Sequence, residues 1–329
     1  RSATVFPIAL TAIMSAPHQH MNLTIITSAL VTLLIPLSGL CWLVIYNRYR
    51  RQGTILVSEP RLLVPWNGFP HVALAFFIYV ILPLVWLLLL QRWFELTPDS
   101  DLTQLPQVIA WLLAGDSLLK FAVMAMVVTF LRIDLAASLA DLGLQLNKFK
   151  KDIRLGLMTF IAVAPVIYFL QFVLKWIYNQ FADEEAAHPI EKLLHENGST
   201  SVIFWAIFAA VIAAPIIEEF LFRCILQGWL EKAFYRTRVL VNVELTGDTG
   251  GDEVTLATPA APTFMWQPII LSSITFALLH AGHGPDPIPL FFLAVVLGYL
   301  YSKTHRILPS IVVHMALNGL SMLMLLSSE

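Results

Sequence analysis

The sequence predicts an all-α, polytopic membrane protein with about eight transmembrane helices. Of its 329 residues, 58% are hydrophobic and only 13% are charged, whereas soluble domains are about 25% charged. The apolar residues fall into eight stretches, most of them close to the roughly 20 residues that a helix needs to cross the hydrocarbon core. The net charge of −2 argues against a nucleic-acid partner, because phosphate recognition requires a basic surface.

The eight stretches set the predicted organisation of the chain. They are 23–46, 70–91, 106–131, 155–177, 201–224, 267–281, 287–302 and 307–326, and the sixth and seventh are short. Residues 1–22 are polar and contain two prolines, so we expect a leader that is disordered or foreign to the native chain. Residues 23–199 form a first group of helices. Residues 200–326 form a second group, with a cytoplasmic insertion at 239–265.

Basic residues predict how the spans are oriented. They concentrate in the loops after the first, third, fifth and seventh spans: Arg48, Arg50, Arg51, Arg61; Arg132, Lys148, Lys150, Lys151, Arg154; Lys232, Arg236, Arg238; Lys303, Arg306. By the positive-inside rule these loops are cytoplasmic and both termini are outside. We expect a plasma (inner) membrane location.

Two segments between spans carry patterns of their own. Apolar residues recur at steps of four and three from Leu135 to Ile153, which predicts an amphipathic helix over 133–153 on the inner leaflet. After span five, Val241, Val243 and Leu245 alternate with polar residues, which predicts a small β-hairpin.

Span five contains charges that an apolar helix does not ordinarily tolerate. It reads SVIFWAIFAAVIAAPIIEEFL over 201–221 and carries Glu218 and Glu219, with Arg223 one turn later. Each charge near a helix centre costs about 2.5–3.5 kcal/mol on insertion scales, so intramembrane charges indicate a functional site. Glu219 and Arg223 have the spacing of a helix ion pair, which would leave Glu218 free to act. Pro215 predicts a kink that admits water near Glu218.

Three further polar residues lie in the later spans. His280 ends the run Phe276-Ala-Leu-Leu-His280, and His314 and Asn318 share one helix face. With Glu218 they suit the attack of water on a carbonyl: a carboxylate as general base, an imidazole to help it, and two donors for the developing oxyanion.

The same residues leave a metal site open as an alternative. Glu218, His280 and His314 could hold Zn²⁺ with one position free for water, although metal-free catalysis is favoured. Asp116 and Lys120 in span three have the spacing of an ion pair. A structural pair is expected, and a part in substrate or proton handling is the alternative.

These motifs resemble the type II CAAX prenyl endopeptidase family, also called the CPBP or Abi family. The resemblance rests on Glu218-Glu219-x-x-x-Arg223, Phe276-x-x-x-His280 and His314-x-x-x-Asn318. The stretches 297–301 and 308–311, with Thr304, are similar to the usual lead-in of the last motif. The resemblance to this family covers roughly residues 200–326.

The resemblance implies an eight-helix intramembrane endopeptidase whose active site faces the cytoplasm. It implies Glu218 as the base, helped by His280, with His314 and Asn318 at the oxyanion and Glu219 and Arg223 in support. The expected partner is a membrane-associated protein or peptide, lipidated or not, within the lipid bilayer. One alternative is a non-proteolytic immunity or scaffold protein of the same fold. Another is an ion or proton-coupled transporter with a relay formed by Asp116, Lys120, Glu218 and His280. A transporter predicts inverted repeats, which are not seen in the sequence.

Overall fold

The computed structural model describes residues 17–59, 63–66, 68–97, 105–181, 199–246, 264–282 and 284–328. Over these ranges the chain is helical and contains no strand. The helices are α1 (Pro17–Gln52), α2 (Phe69–Trp93), α3 (Pro106–Leu135), α4 (Phe149–Tyr178), α5 (Thr200–Ile207), α6 (Ala214–Glu219), α7 (Gly228–Thr246), α8 (Trp266–Leu278), α9 (Pro287–Thr304) and α10 (Leu308–Ser328).

The helices confirm the predicted membrane class. Six helical segments of the described chain are long and apolar enough to cross a bilayer: Leu23–Gln52, Phe69–Trp93, Leu146–Tyr178, Thr200–Arg238, Pro287–Thr304 and Leu308–Ser327. Together with α3 and the shorter apolar α8, they agree with the prediction of about eight helices. The chain is therefore an integral, multi-pass, all-α membrane protein.

Helices α5, α6 and α7 are parts of one continuous helix, which we call the composite helix. Two π-helical segments join them: π1 (Phe208–Ala213) and π2 (Phe220–Gln227). The residues at every junction have right-handed helical backbone angles, so the chain changes its hydrogen-bond register without leaving the helix. π-Segments within helices are frequent at functional sites.

The composite helix lies at the centre of the bundle. Helices α2 and α3 pack on one side of it, and α8, α9 and α10 pack on the other. Helix α1 lies further out, against α4 and α10, and presents large apolar side chains such as Ile25, Leu33 and Ile35 to its surroundings. An outer helix that is apolar all round suits lipid, because the helix satisfies its own backbone polar groups.

Helices α4 and α10 pack closely against each other. A Cβ atom on Gly156 would lie 2.6 Å from the side chain of Val312 and 2.8 Å from the carbonyl of Pro309. Only glycine fits at that point, so the two backbones can approach closely, as small residues allow between membrane helices. Further along α4, Tyr168 donates a hydrogen bond to the carbonyl of Leu317, next to Asn318 on α10, at 2.7 Å.

The predicted amphipathic helix over 133–153 is wrong. Helix α3 ends at Leu135, where Ala136 adopts a left-handed conformation with φ 50°, and the next regular helix starts only at Leu146–Lys148 with a 3₁₀ turn. Between them the chain turns back so that Leu142 is fully buried while Leu139 and Leu146 stay exposed. The apolar residues therefore do not share one face, because the backbone between them is not helical.

Two other predictions concern segments that lie partly outside the described residues. The predicted hairpin is wrong in its first strand, since α7 continues through 241–245 to Thr246. Three alternating residues are too few to distinguish a strand from a helix. Residues 247–263, which hold the rest of the hairpin and of the insertion, lie outside the described residues. Helix α1 begins at Pro17, inside the predicted leader, and residues 1–16 also lie outside them.

An ionic cluster ties together the end of the bundle that carries the basic loops. The fully buried Arg306 donates hydrogen bonds from Nε to both carboxylate oxygens of Asp152, at 2.8 and 2.9 Å, and from Nη1 to Glu59. Lys148 and Lys151 also donate to Glu59, at 2.6 and 3.1 Å. Burial alone would raise the pKa of Glu59, but these cations outweigh it and lower the pKa from 4.5 to about 2. The cluster holds the loop after α1 against α4 and α9.

Candidate active site

All four residues predicted to be catalytic line one cavity. Glu218, His280, His314 and Asn318 contribute to the wall of a cavity of about 580 Å³. They come from α6, the turn after α8, and α10. Most of the remaining wall is apolar: Ile167, Ala210, Ala214, Leu290, Leu293, Leu317, Met322, Met324 and Leu325. The bundle thus brings together residues that are about 100 positions apart in the sequence.

Glu219 and Arg223 form a buried ion pair behind this wall. Arg223 Nε donates to Glu219 Oε2 at 2.9 Å, and neither side chain has any exposed surface. Arg223 Nη1 also donates to Ser272 Oγ at 3.3 Å, and that hydroxyl donates to the carbonyl of Phe222 at 3.0 Å. The predicted pairing is confirmed. Such a pair needs partners for its remaining polar atoms. Ser272 supplies one for Nη1, whereas Nη2 has no hydrogen-bond partner among the described residues.

His314 lies between the two glutamates. Its Nδ1 is 3.1 Å from Glu219 Oε1, and its Nε2 is 3.9 Å from Glu218 Oε2. A carboxylate accepts hydrogen bonds, so Nδ1 carries the proton in this contact. Glu219 therefore fixes the ring so that Nε2 points toward Glu218. The side chain of Glu218 retains 12% exposure, in keeping with its place on the cavity wall.

His280 is oriented by the end of its own helix. Helix α8 stops at Leu278, and the backbone N–H of His280 turns to Ala277, at 3.0 Å, instead of Phe276. The carbonyl of Phe276 lies 2.8 Å from His280 Nδ1. Because a carbonyl only accepts, Nδ1 is the protonated nitrogen and Nε2 is left with a lone pair when the ring is neutral. The 13-residue α8 is about 20 Å long, too short for a full span.

The ring of Phe276 packs against both imidazoles and the guanidinium of Arg223. It lies 4.7 Å from the His280 ring and 6.0 Å from the His314 ring, between centroids. The guanidinium of Arg223 lies 5.5 Å from the same ring, within the range of a cation–π contact. Phe276 is fully buried. It therefore separates the two imidazoles and excludes water from the Glu219–Arg223 pair.

Asn318 binds a backbone carbonyl of the composite helix. Its Nδ2 donates to the carbonyl of Ala210 in π1 at 2.8 Å. An amide nitrogen carries two hydrogens, so one hydrogen of Asn318 remains for a ligand in the cavity. The face that Asn318 shares with His314 on α10 lies against α6 and π1.

The cavity extends toward one end of the bundle. Its outer wall is formed by Gln171 and Lys175 near the end of α4, Asp286 at the start of α9, and Leu325 near the end of α10. The basic loops lie at the other ends of these helices. The sequence predicts that the basic loops are cytoplasmic and that the active site opens to the cytoplasm. Since the cavity extends away from the basic loops, these two predictions conflict for a substrate that enters through this end of the bundle.

The structure adds residues that the sequence analysis missed. Tyr168 lines the cavity and donates to the carbonyl of Leu317 at 2.7 Å. Asp286, which is 6% exposed, lines it too and accepts a 3.3 Å hydrogen bond from Gln171. Tyr168 and Gln171 could have been noticed in the sequence as polar residues within an apolar span. Asp286 could not, because it lies in a loop next to glycines and prolines, where an acidic residue is ordinary.

Asp116 and Lys120 form the predicted ion pair, at 2.7 Å. They are not part of the cavity wall that holds Glu218 and His280, so a relay through all four residues would need a route outside that wall. The three predicted zinc ligands do line one cavity. Within the described ranges, however, no three His, Cys, Asp or Glu side chains are grouped closely enough to hold a metal ion.

Comparisons with known proteins give one match. Neither the curated proteins nor the solved structures contain a match to the chain. The matched segment, residues 200–320, begins with α5 and includes Glu218, Glu219, Arg223, His280, His314 and Asn318. Residues 200–320 match the family described as Rce1-like, type II CAAX prenyl endopeptidase, and this confirms the resemblance that the three motifs predicted.

Proposed function

We propose that the protein is an intramembrane endopeptidase that hydrolyses a peptide bond in a membrane-associated protein, in the manner of CAAX processing. The observation that carries this proposal is the meeting of Glu218, His280, His314 and Asn318 on the wall of one cavity, within the segment that matches the family. A carboxylate, two imidazoles and an amide in largely apolar surroundings supply the groups that amide hydrolysis needs.

Glu218 acts as the general base in this mechanism. Its carboxylate removes a proton from a water molecule, and the water oxygen attacks the carbonyl carbon of the substrate. His280 Nε2 has the lone pair to accept the second hydrogen bond of that water, because Nδ1 is held by the Phe276 carbonyl. General-base catalysis of this kind contributes about 10²–10⁴ in rate.

His314 and Asn318 stabilise the oxyanion. Asn318 offers its second amide hydrogen. His314 can donate from Nε2 only if it is an imidazolium, since Nδ1 already carries a proton toward Glu219. With Arg223 and His314 positive and both glutamates negative, the charges of these four neighbouring groups sum to zero. A neutral His314 would leave one unbalanced negative charge in a medium of low dielectric.

Collapse of the tetrahedral intermediate completes the reaction. The proton taken up by Glu218 passes to the leaving nitrogen as the carbon–nitrogen bond breaks. The products are an amine and a carboxylic acid, which loses the second proton of the original water. No redox step or cofactor is required, so the residues on the cavity wall are sufficient for this mechanism.

Zinc is the competing way to activate the water. His280 Nε2, His314 Nε2 and the Glu218 carboxylate are the atoms that would hold it, and the ion would supply a more acidic water. Such contacts as those of Glu219 and Phe276 with the imidazoles also orient zinc-bound histidines, so they do not decide between the two mechanisms. We favour the metal-free one because Glu218, His280 and His314 are not grouped closely enough in the described part of the chain to hold a metal ion. A Glu219-bound imidazolium at His314 and a zinc ligand at the same nitrogen exclude each other, so a chelator separates the two mechanisms.

We propose that the protein lies in the plasma membrane. Two arguments give opposite answers for the side of the membrane from which a substrate enters the cavity. The resemblance favours an active site that faces the cytoplasm. The positive-inside rule, applied to four basic loops, favours the opposite end of the bundle on that side. The labelling experiment described in the Discussion distinguishes the two.

The test is cleavage of a library of lipidated and unlipidated C-terminal peptides by purified protein in lipid. Wild type and Glu218→Ala would be compared with and without a tight zinc chelator. We expect cleavage by the wild type in both conditions and none by the variant. Loss of wild-type activity in chelator would assign the site to zinc. A folded wild type that cleaves no peptide, while Glu218→Ala still complements a cellular phenotype, would instead support the immunity or scaffold alternative.

A further inference from the structure

The hydrogen bonding of π1 leaves one carbonyl of the composite helix without a helical partner. The N–H of Ala214 is donated to the carbonyl of Ala209, five residues back, so it does not reach the carbonyl of Ala210 four residues back. In the same π register the next donor would be the N–H of residue 215. That residue is Pro215, which has no N–H. The Ala210 carbonyl is therefore open to a side chain.

Asn318 occupies this open position. Its Nδ2 donates to the Ala210 carbonyl at 2.8 Å, and both groups belong to the wall of the cavity. The amide group is planar, so one fixed hydrogen bond restricts the direction of the second N–H and of Oδ1. A hydrogen-bond donor aimed before the reaction begins is the kind that stabilises an oxyanion most effectively.

From this geometry we infer that Pro215 is a positioning residue that acts through Asn318. By withholding a backbone N–H, the buried Pro215 reserves the Ala210 carbonyl for the Asn318 amide and so aims its free N–H into the cavity. The inference rests on the proposed function for its catalytic consequence, but the positioning itself can be measured without activity. Pro215 thus controls the direction of a hydrogen bond, a role separate from any bend that its ring imposes.

Two replacements at residue 215 separate the missing N–H from the ring. Pro215→Ala restores an N–H that competes with Asn318 for the Ala210 carbonyl. Lactic acid at the same position, introduced by genetic-code expansion, has the alanine side chain but an ester oxygen in place of the N–H. We expect Pro215→Ala to lower kcat roughly 3- to 10-fold with KM unchanged, the size of one hydrogen bond. We expect lactic acid to restore most of that loss.

A double variant tests whether the effect passes through Asn318. In the Asn318→Ala background, Pro215→Ala should cause no further loss, because the amide that it disturbs is already absent. Pro36→Ala is the matched control. Pro36 also lies inside an apolar helix, α1, away from the cavity wall, and its replacement should leave kcat unchanged.

The activity-independent readout is the side-chain amide of Asn318, observed by NMR in protein labelled with ¹⁵N-asparagine and assigned with Asn318→Ala. Hydrogen exchange of this amide should be several-fold faster in Pro215→Ala than in wild type, and near wild type with lactic acid. Unchanged exchange in Pro215→Ala would overturn the inference, even if the wild type proves to be inactive. Equal losses with alanine and lactic acid would also overturn it, since the ring would then be responsible.

Discussion

His314 Nδ1 lies 3.1 Å from Glu219 Oε1, and both side chains are almost completely buried. Glu219 thus holds the imidazole of His314, and Glu218 faces the other nitrogen of the same ring. Arg223, in turn, neutralises Glu219. The two adjacent acids therefore have separate positions, one within the core and one on the cavity wall. Each prediction below follows from this division or from the packing that produces it.

Replacing the proposed base should abolish hydrolysis without unfolding the protein. Glu218→Gln keeps the size of the side chain but cannot take up the proton of water. We expect kcat to fall by about 10²–10⁴, with an unchanged thermal midpoint in detergent. The control is Glu95→Gln, the same replacement at an exposed glutamate that follows α2, which should retain the activity. Cleavage by Glu218→Gln at the wild-type rate would disprove the mechanism.

Variants of the Glu219–Arg223 pair should separate its effect on stability from its effect on activity. Glu219→Gln leaves a buried guanidinium uncompensated and should cost about 3–5 kcal/mol of unfolding free energy. The double variant Glu219→Gln/Arg223→Met removes both charges and should regain much of this stability. It should not regain activity, because His314 still lacks the carboxylate that holds it. Unfolding in detergent and peptide cleavage, measured on the same preparations, provide the comparison. Recovery of activity in the double variant would show that Glu219 acts only on stability.

Two substitutions of His280 should distinguish the roles of its two ring nitrogens, Nδ1 and Nε2. Asn at this position mimics Nδ1 and can still donate to the Phe276 carbonyl, whereas Gln places its amide near Nε2. If Nε2 contacts the attacking water, His280→Gln should retain more activity than His280→Asn. Steady-state kcat values for the two variants, with KM as the control for substrate binding, test this order. The reverse order would indicate that the contact with Phe276 is the essential one.

The stability that Glu59 provides should depend on pH. Its folded-state pKa is lowered to about 2 by Arg306, Lys148 and Lys151, so the ionised form is favoured by folding. The contribution is complete above the unfolded pKa near 4.5 and is lost as the pH falls toward 2. Glu59→Gln should therefore lower the thermal midpoint at neutral pH, and the difference from wild type should shrink over this range. A difference that does not change with pH would contradict the assignment; Lys150→Gln, outside the cluster, is the control.

Accessibility labelling should establish which side the cavity faces. In a background lacking Cys41 and Cys224, Lys151→Cys would report on the basic end of the bundle and Gln180→Cys on the end toward which the cavity extends. Both positions are exposed. The positive-inside rule predicts that a membrane-impermeant thiol reagent labels Gln180→Cys in intact cells and Lys151→Cys only after lysis. The opposite pattern would support a cavity open to the cytoplasm.

Some features could be read from particular residues alone. The long apolar runs required membrane helices, because lipid offers no partner for an open backbone. The i, i+4 spacing of Glu219 and Arg223 and of Asp116 and Lys120 led to ion pairs that the structure confirms. Helix geometry over one turn is nearly independent of the rest of the fold, which is why these local pairs were predictable.

Other features needed the tertiary structure. The run from Leu135 to Ile153 has a helical period, yet the chain buries Leu142 by turning at Ala136 and Gly143, whose φ angles are 50° and 74°. Packing against the core outweighed the local pattern there. Asp286 and Tyr168 reach the cavity only because α4 and α9 are neighbours of α10.

Composition and motifs were enough to predict the membrane class of the protein, the charged and polar residues of its helices, and the family that residues 200–320 match. The packing of the helices sets which of those residues meet. It placed Glu219 in the core and Glu218 on the cavity wall, although they are adjacent in the chain, because successive helical residues point about 100° apart. It also joined Asn318 to the Ala210 carbonyl through the register change before Pro215. Such contacts depend on distances between helices far apart in sequence, which local spacing does not specify.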